Sequence, residues 1–390
     1  MAGLHPPENI LSEMKGASKV LVFSGFSEEE IENPAFGGAK LVALQRSFFR
    51  EQGQDTHLVD LERLVGPTGL ALRIAGQIRR RRKKDAAFLP LRGDRGERDQ
   101  WRFNLLFYLA LEAFSRLDWL ARRQVARMAV SGGEVLAIWN YPFGVHVLSS
   151  LRKRARGGRV RIFVYEHNVE GDFYSERIGS GRIFRFLSDL FSRVELANLS
   201  YADLVLCANP RDRDKLEAAG VDPERMVVWI PRPRLAAQEG QNLGAPRDMR
   251  ERLEGRYVIG FVGSAYGPNM VAVKHIMEMA ERLAPEITFL VIGSVCDWFC
   301  KQETVPENVV LCGFVEDLDA YLSLCDAFIN PKTTSDTGAE MKMLDYMRHE
   351  KPVFSTVIGS RGFEDYARLI VSEIGDMPVA IRARAVHDLG

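Results

Sequence analysis

Short apolar runs of strand length recur along this chain, each leading through a glycine-rich or polar turn into a stretch of helical periodicity. That alternation admits few folds, because parallel strands need a crossover and the crossover is usually a helix. In the first half the runs are KVLVFSG (19–25), THLVDL (56–61), VLAIWNY (135–141), RIFVYEHNVEG (161–171), ADLVLCAN (202–209) and MVVWIPRP (226–233). Helical patterns lie between them: from Gly37-Gly38 through Gln52, over HVLSSLRKRAR, to about Ser200, and over PRDRDKLEAAG, closed by Gly220. Residues 235–252 are polar and poor in core residues, the composition of a linker. A second series follows: YVIGFVGS (257–264), the loop AYGPN, the helix MVAVKHIMEMAERL, ITFLVIGS, NVVLCGFV and the helix DLDAYLSLC. The expectation is an α/β chain of two Rossmann-like domains facing a cleft, with ligands at the carboxyl ends of the strands. The boundaries are 1–234, carrying a basic insertion at 63–103, and 253–390.

The stretch 326–362, DAFINPKTTSDTGAEMKMLDYMRHEKPVFSTVIGSRG, holds the densest chemistry. DAFINP is an apolar run stopped by proline, a buried-strand signal. TTSDTG can open a helix, with Ser335 or Asp336 as N-cap. In MKMLDYM, Met341, Leu344 and Tyr346 can face a core, while Lys342 and Asp345 sit three apart on another face. Lys351-Pro352 closes the helix and VFST starts a strand. N–H groups of the loop and first turn favour an anion. Lys342 adds a cation and Asp345 an acceptor for hydroxyls, a combination that suits a nucleotide sugar. Read alone, Lys342 and Asp345 are equally helix-surface charges.

Elsewhere the residues leave alternatives. Gly37 and Gly38 allow close approach of a ligand to backbone, or are a packing turn at a helix start. No G-x-G-x-x-G accompanies them. The loop after RIFVY carries Glu166, His167, Asn168 and Glu170. His167 is a site residue or a structural hydrogen-bonder, and Glu170 orients it or is a loop acid. Arg361, in the last glycine loop, can meet phosphate. The basic block IRRRRKK (78–84) is a solvated insertion or docks on anionic lipid. The helix WRFNLLFYLALEAFSRLDWLARR beside it is core or supports interfacial binding.

Net charge is zero over 390 residues, so the chain as a whole is no electrostatic binder of nucleic acid. At 46% hydrophobic and 27% charged residues it builds full cores. The five cysteines, most of them in apolar strand-like runs, are read as reduced, buried thiols, and Cys296 and Cys300 lack the partners of a zinc site. No signal peptide is read at the start, and the apolar run Leu105 to Ala113 is short of the ~20 residues that span a bilayer. A cytoplasmic protein is expected, soluble or peripheral on the inner face of a membrane.

Taken in order, these segments resemble the GT-B fold glycosyltransferases of the large retaining family often called GT4. FGGAKLVALQRSFFREQGQDTHLVDL is similar to that family's glycine-rich first loop and helix, YEHNVEG to its histidine loop, and ADLVLCANPRDRDKLEAAGVDPERMVVWIPRP to its last N-domain unit. IGFVGSAYGPN, LVIGS, VVLCGFVEDLDAYLSLCDAFINP and TGAEMKMLDYMRHEKPVFSTVIGSRGF follow its nucleotide-binding domain. The resemblance covers nearly the whole chain and rests on the ordered set, since no single piece is highly specific. It implies transfer of a sugar from a UDP- or GDP-sugar to a glycan or lipid-linked acceptor, with retention at the anomeric carbon. It implies no metal and no cofactor. The first domain would bind the acceptor and the second the donor.

The same resemblance assigns roles. Asp345 stands where the family has a glutamate that accepts from ribose hydroxyls. Lys342 would face the diphosphate, Gly338 the donor's phosphate or sugar, and Gly263 and Ser264 the diphosphate. His167 would lie near the donor sugar, and Gly37 and Gly38 near that sugar or the phosphate. The sequence departs from the pattern at Thr337, where the family has the first of two acids eight apart. It departs also at Glu340, where related members are basic, and at Ser264 and Asn269, which stand in places commonly basic. The family's C-terminal helix is short or absent. Two other readings are a catalytically idle nucleotide-sugar or partner-binding protein and a nucleotide-sugar epimerase of similar fold.

Overall fold

The computed structural model describes residues 17–32, 37–74, 77, 94–128, 133–154, 158–179, 181–230, 247–302, 304–334 and 338–389. The basic block 78–84, most of the linker and Ser335, Asp336 and Thr337 lie outside the described residues. The chain divides into two compact units, Met1–Arg234 with Thr337–Ala339, and Leu235–Asp336 with Glu340–Gly390.

The first unit is built on β1 (Lys19–Ser24), β2 (Thr56–Asp60), β3 (Glu134–Asn140), β4 (Arg159–Glu166), β5 (Leu204–Cys207) and β6 (Met226–Val228). Its helices are α1 (Glu28–Glu32), α2 (Gly37–Glu51), α3 (Asp94–Leu117), α4 (Trp119–Ala126), α5 (Ser149–Arg154), α6 (Glu170–Ile178), α7 (Arg182–Leu199) and α8 (Pro210–Ala218). The strands form one parallel sheet in the order β2-β1-β3-β4-β5-β6. Val, Leu and Ile dominate β1, β3, β4 and β5 because helices cover both faces of such a sheet. Leu21, Phe23, Ala137, Trp139, Ile162, Val164 and Val205 sit in one core. A separate apolar cluster, with Leu105, Phe143, Tyr174 and Phe191, joins α3, α6 and α7.

The second unit carries β7 (Tyr257–Val262), β8 (Ile287–Ile292), β9 (Val309–Gly313), β10 (Ala327–Asn330), β11 (Val353–Ser355) and β12 (Leu369–Val371). With them come α9 (Arg247–Leu253), α10 (Gly267–Leu283), α11 (Cys296–Gln302), α12 (Leu318–Ser323), α13 (Met343–Arg348) and α14 (Met377–Leu389). Their parallel order is β12-β11-β10-β7-β8-β9. Counted within the unit this is 6-5-4-1-2-3, the doubly wound order of dinucleotide-binding folds. Its core holds Ile259, Phe261, Phe289, Val291, Ile329 and Phe354 from the strands, Ile276 and Ala280 from α10, and Ile381 from α14.

Several expectations change. α13 begins only at Met343, with Lys342 at its N-cap making no side-chain cap bond. Asp345 is 93% buried rather than on an exposed face. The long helix expected before Ser200 is two, because Gly179 at φ +89° interrupts it. Cys296 and Cys300 lie on α11, not in a strand, and Cys300 is exposed, while Cys207, Cys296 and Cys325 are buried. All five cysteines are free thiols. The last helix, α14, is thirteen residues long and packs on the core of the second unit. No helix among the described residues is long and apolar enough to cross a membrane.

Candidate functional site

Each sheet has one place where the winding reverses, and loops there leave a crevice at the carboxyl ends of the strands. In the first sheet it lies between β1 and β3, in the second between β7 and β10. Most of the sequence-predicted site residues fall beside these two places.

In the first unit β3 ends on Asn140, whose side chain has no solvent exposure. A carboxamide so buried has to be bonded. Asn140 Nδ2 donates to the Phe23 carbonyl at 3.2 Å and to Gln45 Oε1 at 3.0 Å, and Gln45 Nε2 donates back to Asn140 Oδ1 at 3.0 Å. His167 Nε2 lies 3.1 Å from the same Oδ1. A carboxamide oxygen only accepts, so Nε2 carries the proton and Nδ1 is the acceptor of the ring. Burial lowers the His167 pKa to about 4, which leaves the imidazole neutral near pH 7. It can hold a hydroxyl or a developing charge there, but it is not an acid.

Tyr141 follows Asn140 at φ +121°, a region that L side chains rarely adopt. Its ring stacks on His167 with centroids 4.9 Å apart. Gly38, on the first turn of α2, faces the same group. A Cβ there would stand 3.2 Å from Phe26 and 3.4 Å from the Tyr141 hydroxyl. Gly38 and His167 are thus brought together through Tyr141 and Asn140, with Gln45 of the same helix as a third tie. Gly37 opens α2. Glu170 accepts from Asn168 Nδ2 at 3.2 Å, and its N–H is held by Glu195 Oε1 at 2.6 Å. Asn140, rather than Glu170, orients His167.

Asn140, Tyr141 and Gln45 were not singled out in the sequence. The one available signal was a carboxamide ending an otherwise apolar strand. What assembles the group is register, which sets Asn140 opposite Tyr165, two residues before His167.

In the second unit β7 runs into Gly263 and Ser264. A Cβ on Gly263 would lie 2.8 Å from the Phe261 ring and 3.3 Å from Asn269, so glycine is required for this close turn. Asn269, on the first turn of α10, donates from Nδ2 to the Ser264 carbonyl at 3.1 Å. Lys342 Nζ donates to Asn269 Oδ1 at 2.9 Å and stands 4.2 Å from the centre of the Phe261 ring. Gly263, Ser264, Asn269 and Lys342 therefore form one connected group on the β7 side of the reversal. Burial lowers the Lys342 pKa to about 7; Glu340 opposes that shift and Lys332 adds to it. The Asn269 amide thus holds the Lys342 ammonium at the first turn of α10.

Glu340, an unexpected acid in the sequence, is buried and matched by two cations. Lys332 Nζ donates to its Oε1, and Arg361 Nη2 lies 3.5 Å from the same oxygen. Asn330, at the end of β10, adds a longer contact at 3.4 Å. Arg361 is thus turned into the protein. Asp345 pairs with Arg348 Nη2 at 2.9 Å, one turn along α13, and Arg348 also reaches Asp319 at 3.2 Å. The Asp345 backbone N–H donates to the Lys342 carbonyl at 3.0 Å. Gly338 has φ +80°, a left-handed value that favours glycine.

Two six-stranded parallel sheets, each wrapped by helices, define a double Rossmann-like α/β protein, the GT-B fold. Residues 256–386 match the family described as Glycosyl transferases group 1. No curated protein is similar enough in sequence to count as a relative. HepE of Anabaena, solved with UDP and glucose, aligns over 94% of this chain and 89% of its own at TM-score 0.53 and 11% identity. An α,α-trehalose-phosphate synthase (UDP-forming) from Burkholderia vietnamiensis aligns over 96% and 92% at TM-score 0.56 and 11% identity. The N-terminal domain of Candida albicans trehalose-6-phosphate phosphatase aligns over 95% and 89% at TM-score 0.59 and 10% identity. At such identities the likeness establishes the fold.

Proposed function

We propose that the protein is a retaining, metal-independent glycosyltransferase that moves a sugar from a UDP- or GDP-sugar to a glycan or lipid-linked acceptor. The observation that carries this is the Gly263–Ser264–Asn269–Lys342 group at the reversal of a sheet whose segment matches glycosyl transferases group 1. The sugar-bearing neighbours of like fold support it. A nucleoside diphosphate that leaves the sugar gathers negative charge on its phosphate oxygens. The protonated Lys342, beside the Gly263–Ser264 turn, would stabilise that charge. Asp345 would hold the ribose hydroxyls once Arg348 yields a share of it. The neutral His167, with Gly37 and Gly38, would line the sugar side, where no strong base is needed beside an oxocarbenium-like centre.

The test is transfer of label from UDP- and GDP-sugars, after a thermal-shift screen to choose the donor. Lys342→Ala should lower turnover by about a hundredfold, the scale of losing one preorganised charge donor. Asp345→Ala should mainly weaken donor binding. Unchanged transfer in both variants would sink the assignment. A second reading, an idle nucleotide-sugar binder, is favoured by Glu340, which pairs with the buried Lys332 and Arg361. It predicts a thermal shift with no transfer and no donor hydrolysis.

A further inference from the structure

Two neighbouring helices of the first unit turn apolar rows to solvent. On α3, between Trp101 and Leu117, the exposed positions follow helical spacing, and Arg116 is the one charged residue among them. Phe103, Leu106 and Phe114 are each about half exposed, and Leu117 is 82% exposed. On α7, Ile183 and Phe186 are 72% and 66% exposed. The helices are held side by side by the cluster of Leu105, Tyr108, Phe184 and Phe191. Arg102 reinforces the contact, its guanidinium 3.9 Å from the centre of the Phe184 ring. A monomeric protein seldom leaves large apolar side chains in adjacent rows without a partner.

The charges around these rows indicate what that partner is. The exposed charged residues of α7 are Arg182, Arg185 and Arg193 against Asp189 alone. Arg116 ends the row on α3, and Arg123 follows on α4. A two-fold contact with a second copy would set this basic rim against itself. A helix pair with aromatic and aliphatic residues on one side and arginines beside them has the character of an interfacial membrane element. We propose that the α3–α7 face docks the protein on an anionic bilayer, with the apolar rows at the acyl boundary and the arginines among the headgroups. This surface stands on its own observations and does not depend on the donor site.

The test uses the full chain and vesicles of phosphatidylcholine with or without phosphatidylglycerol. The protein should sediment with the mixed vesicles and bind pure phosphatidylcholine far more weakly. The double substitution Leu106→Asp with Phe186→Asp should weaken binding more than tenfold, since each change withdraws a large apolar group from burial. Arg182→Ser and Arg185→Ser should each cost about fivefold at low salt, with the fold intact by circular dichroism. Three results would overturn the proposal: no sedimentation with anionic vesicles, equal binding to neutral ones, or binding indifferent to all of these substitutions. Self-association in solution that the double substitution abolishes would also overturn it, assigning the face to a second copy of the chain.

Discussion

Lys342 is where a single residue connects the sequence to a measurable chemistry. Its pKa lies near 7, held down by burial. A diphosphate beside it would favour the charged form, so nucleotide affinity should fall as pH rises through that value. Between about pH 6 and about pH 8 the protonated fraction of such a lysine drops about tenfold, and titration calorimetry with UDP should show a matching loss. Lys342→Arg keeps its charge throughout and should flatten the profile. Glu340 makes a stability prediction instead. Glu340→Ala removes the carboxylate that the buried Lys332 and Arg361 share, at a cost of ~3 kcal/mol, readable as a lower denaturant midpoint. Glu340→Lys, which restores the basic residue of related members, should be worse here, because three cations would then share the site.

At the scale of the element, the sharpest feature is the turn after β3. Tyr141 holds a positive φ and also stacks on His167. Tyr141→Gly should relieve ~1 kcal/mol of backbone strain while removing the stack. The expected result is near-neutral stability with activity down about tenfold, whereas Tyr141→Phe keeps both. Strands such as β1, β4, β7 and β8 were legible in the sequence because they are short apolar runs bounded by turns, and burial in a parallel sheet demands that pattern. Strand order was not legible, since it is set by which helix packs on which face. For that reason Gly38 and His167 were separately visible, while Asn140 and Tyr141, which join them, were not. The short elements also escaped. α11 contains Cys-Asp-Trp-Phe-Cys, too brief for a helical period to stand out, and β12 is a half-buried edge of three residues. The charged residues around Glu340 were visible, but their pairing needs β10 and the last glycine loop to come together.

For the whole molecule, the first unit carries a cost in buried acids. Glu166 has no solvent exposure, and neither of its carboxylate oxygens has a hydrogen-bond partner among the described residues. Burial raises its pKa well above the ordinary 4.5, and nearby Glu195 and Glu170 raise it further. Burial likewise raises Glu170 to about 7. The folded chain keeps protons there that an unfolded chain releases above 4.5. Stability from Glu170 is therefore full below about 4.5 and is lost as pH climbs through about 7, and Glu166 acts in the same direction. Calorimetric scans should show the first unit melting earlier at about pH 9 than at about pH 6, and Glu166→Gln should remove much of that difference. With two compact units, two transitions are expected rather than one.

The thiols described with the fold have a practical consequence. Burial pushes Cys296 up to about 11 and Cys312 up to about 12, and raises Cys207 and Cys325 further, so none of the four offers much thiolate near neutral pH. Cys300 alone is exposed, on the outer side of α11 in the second unit. A maleimide should attach once per native chain, confirmed by intact mass, with Cys300→Ser taking up none. The natural sequence thus supplies a ready attachment point for a fluorophore, one that reports on the second unit without any engineered cysteine.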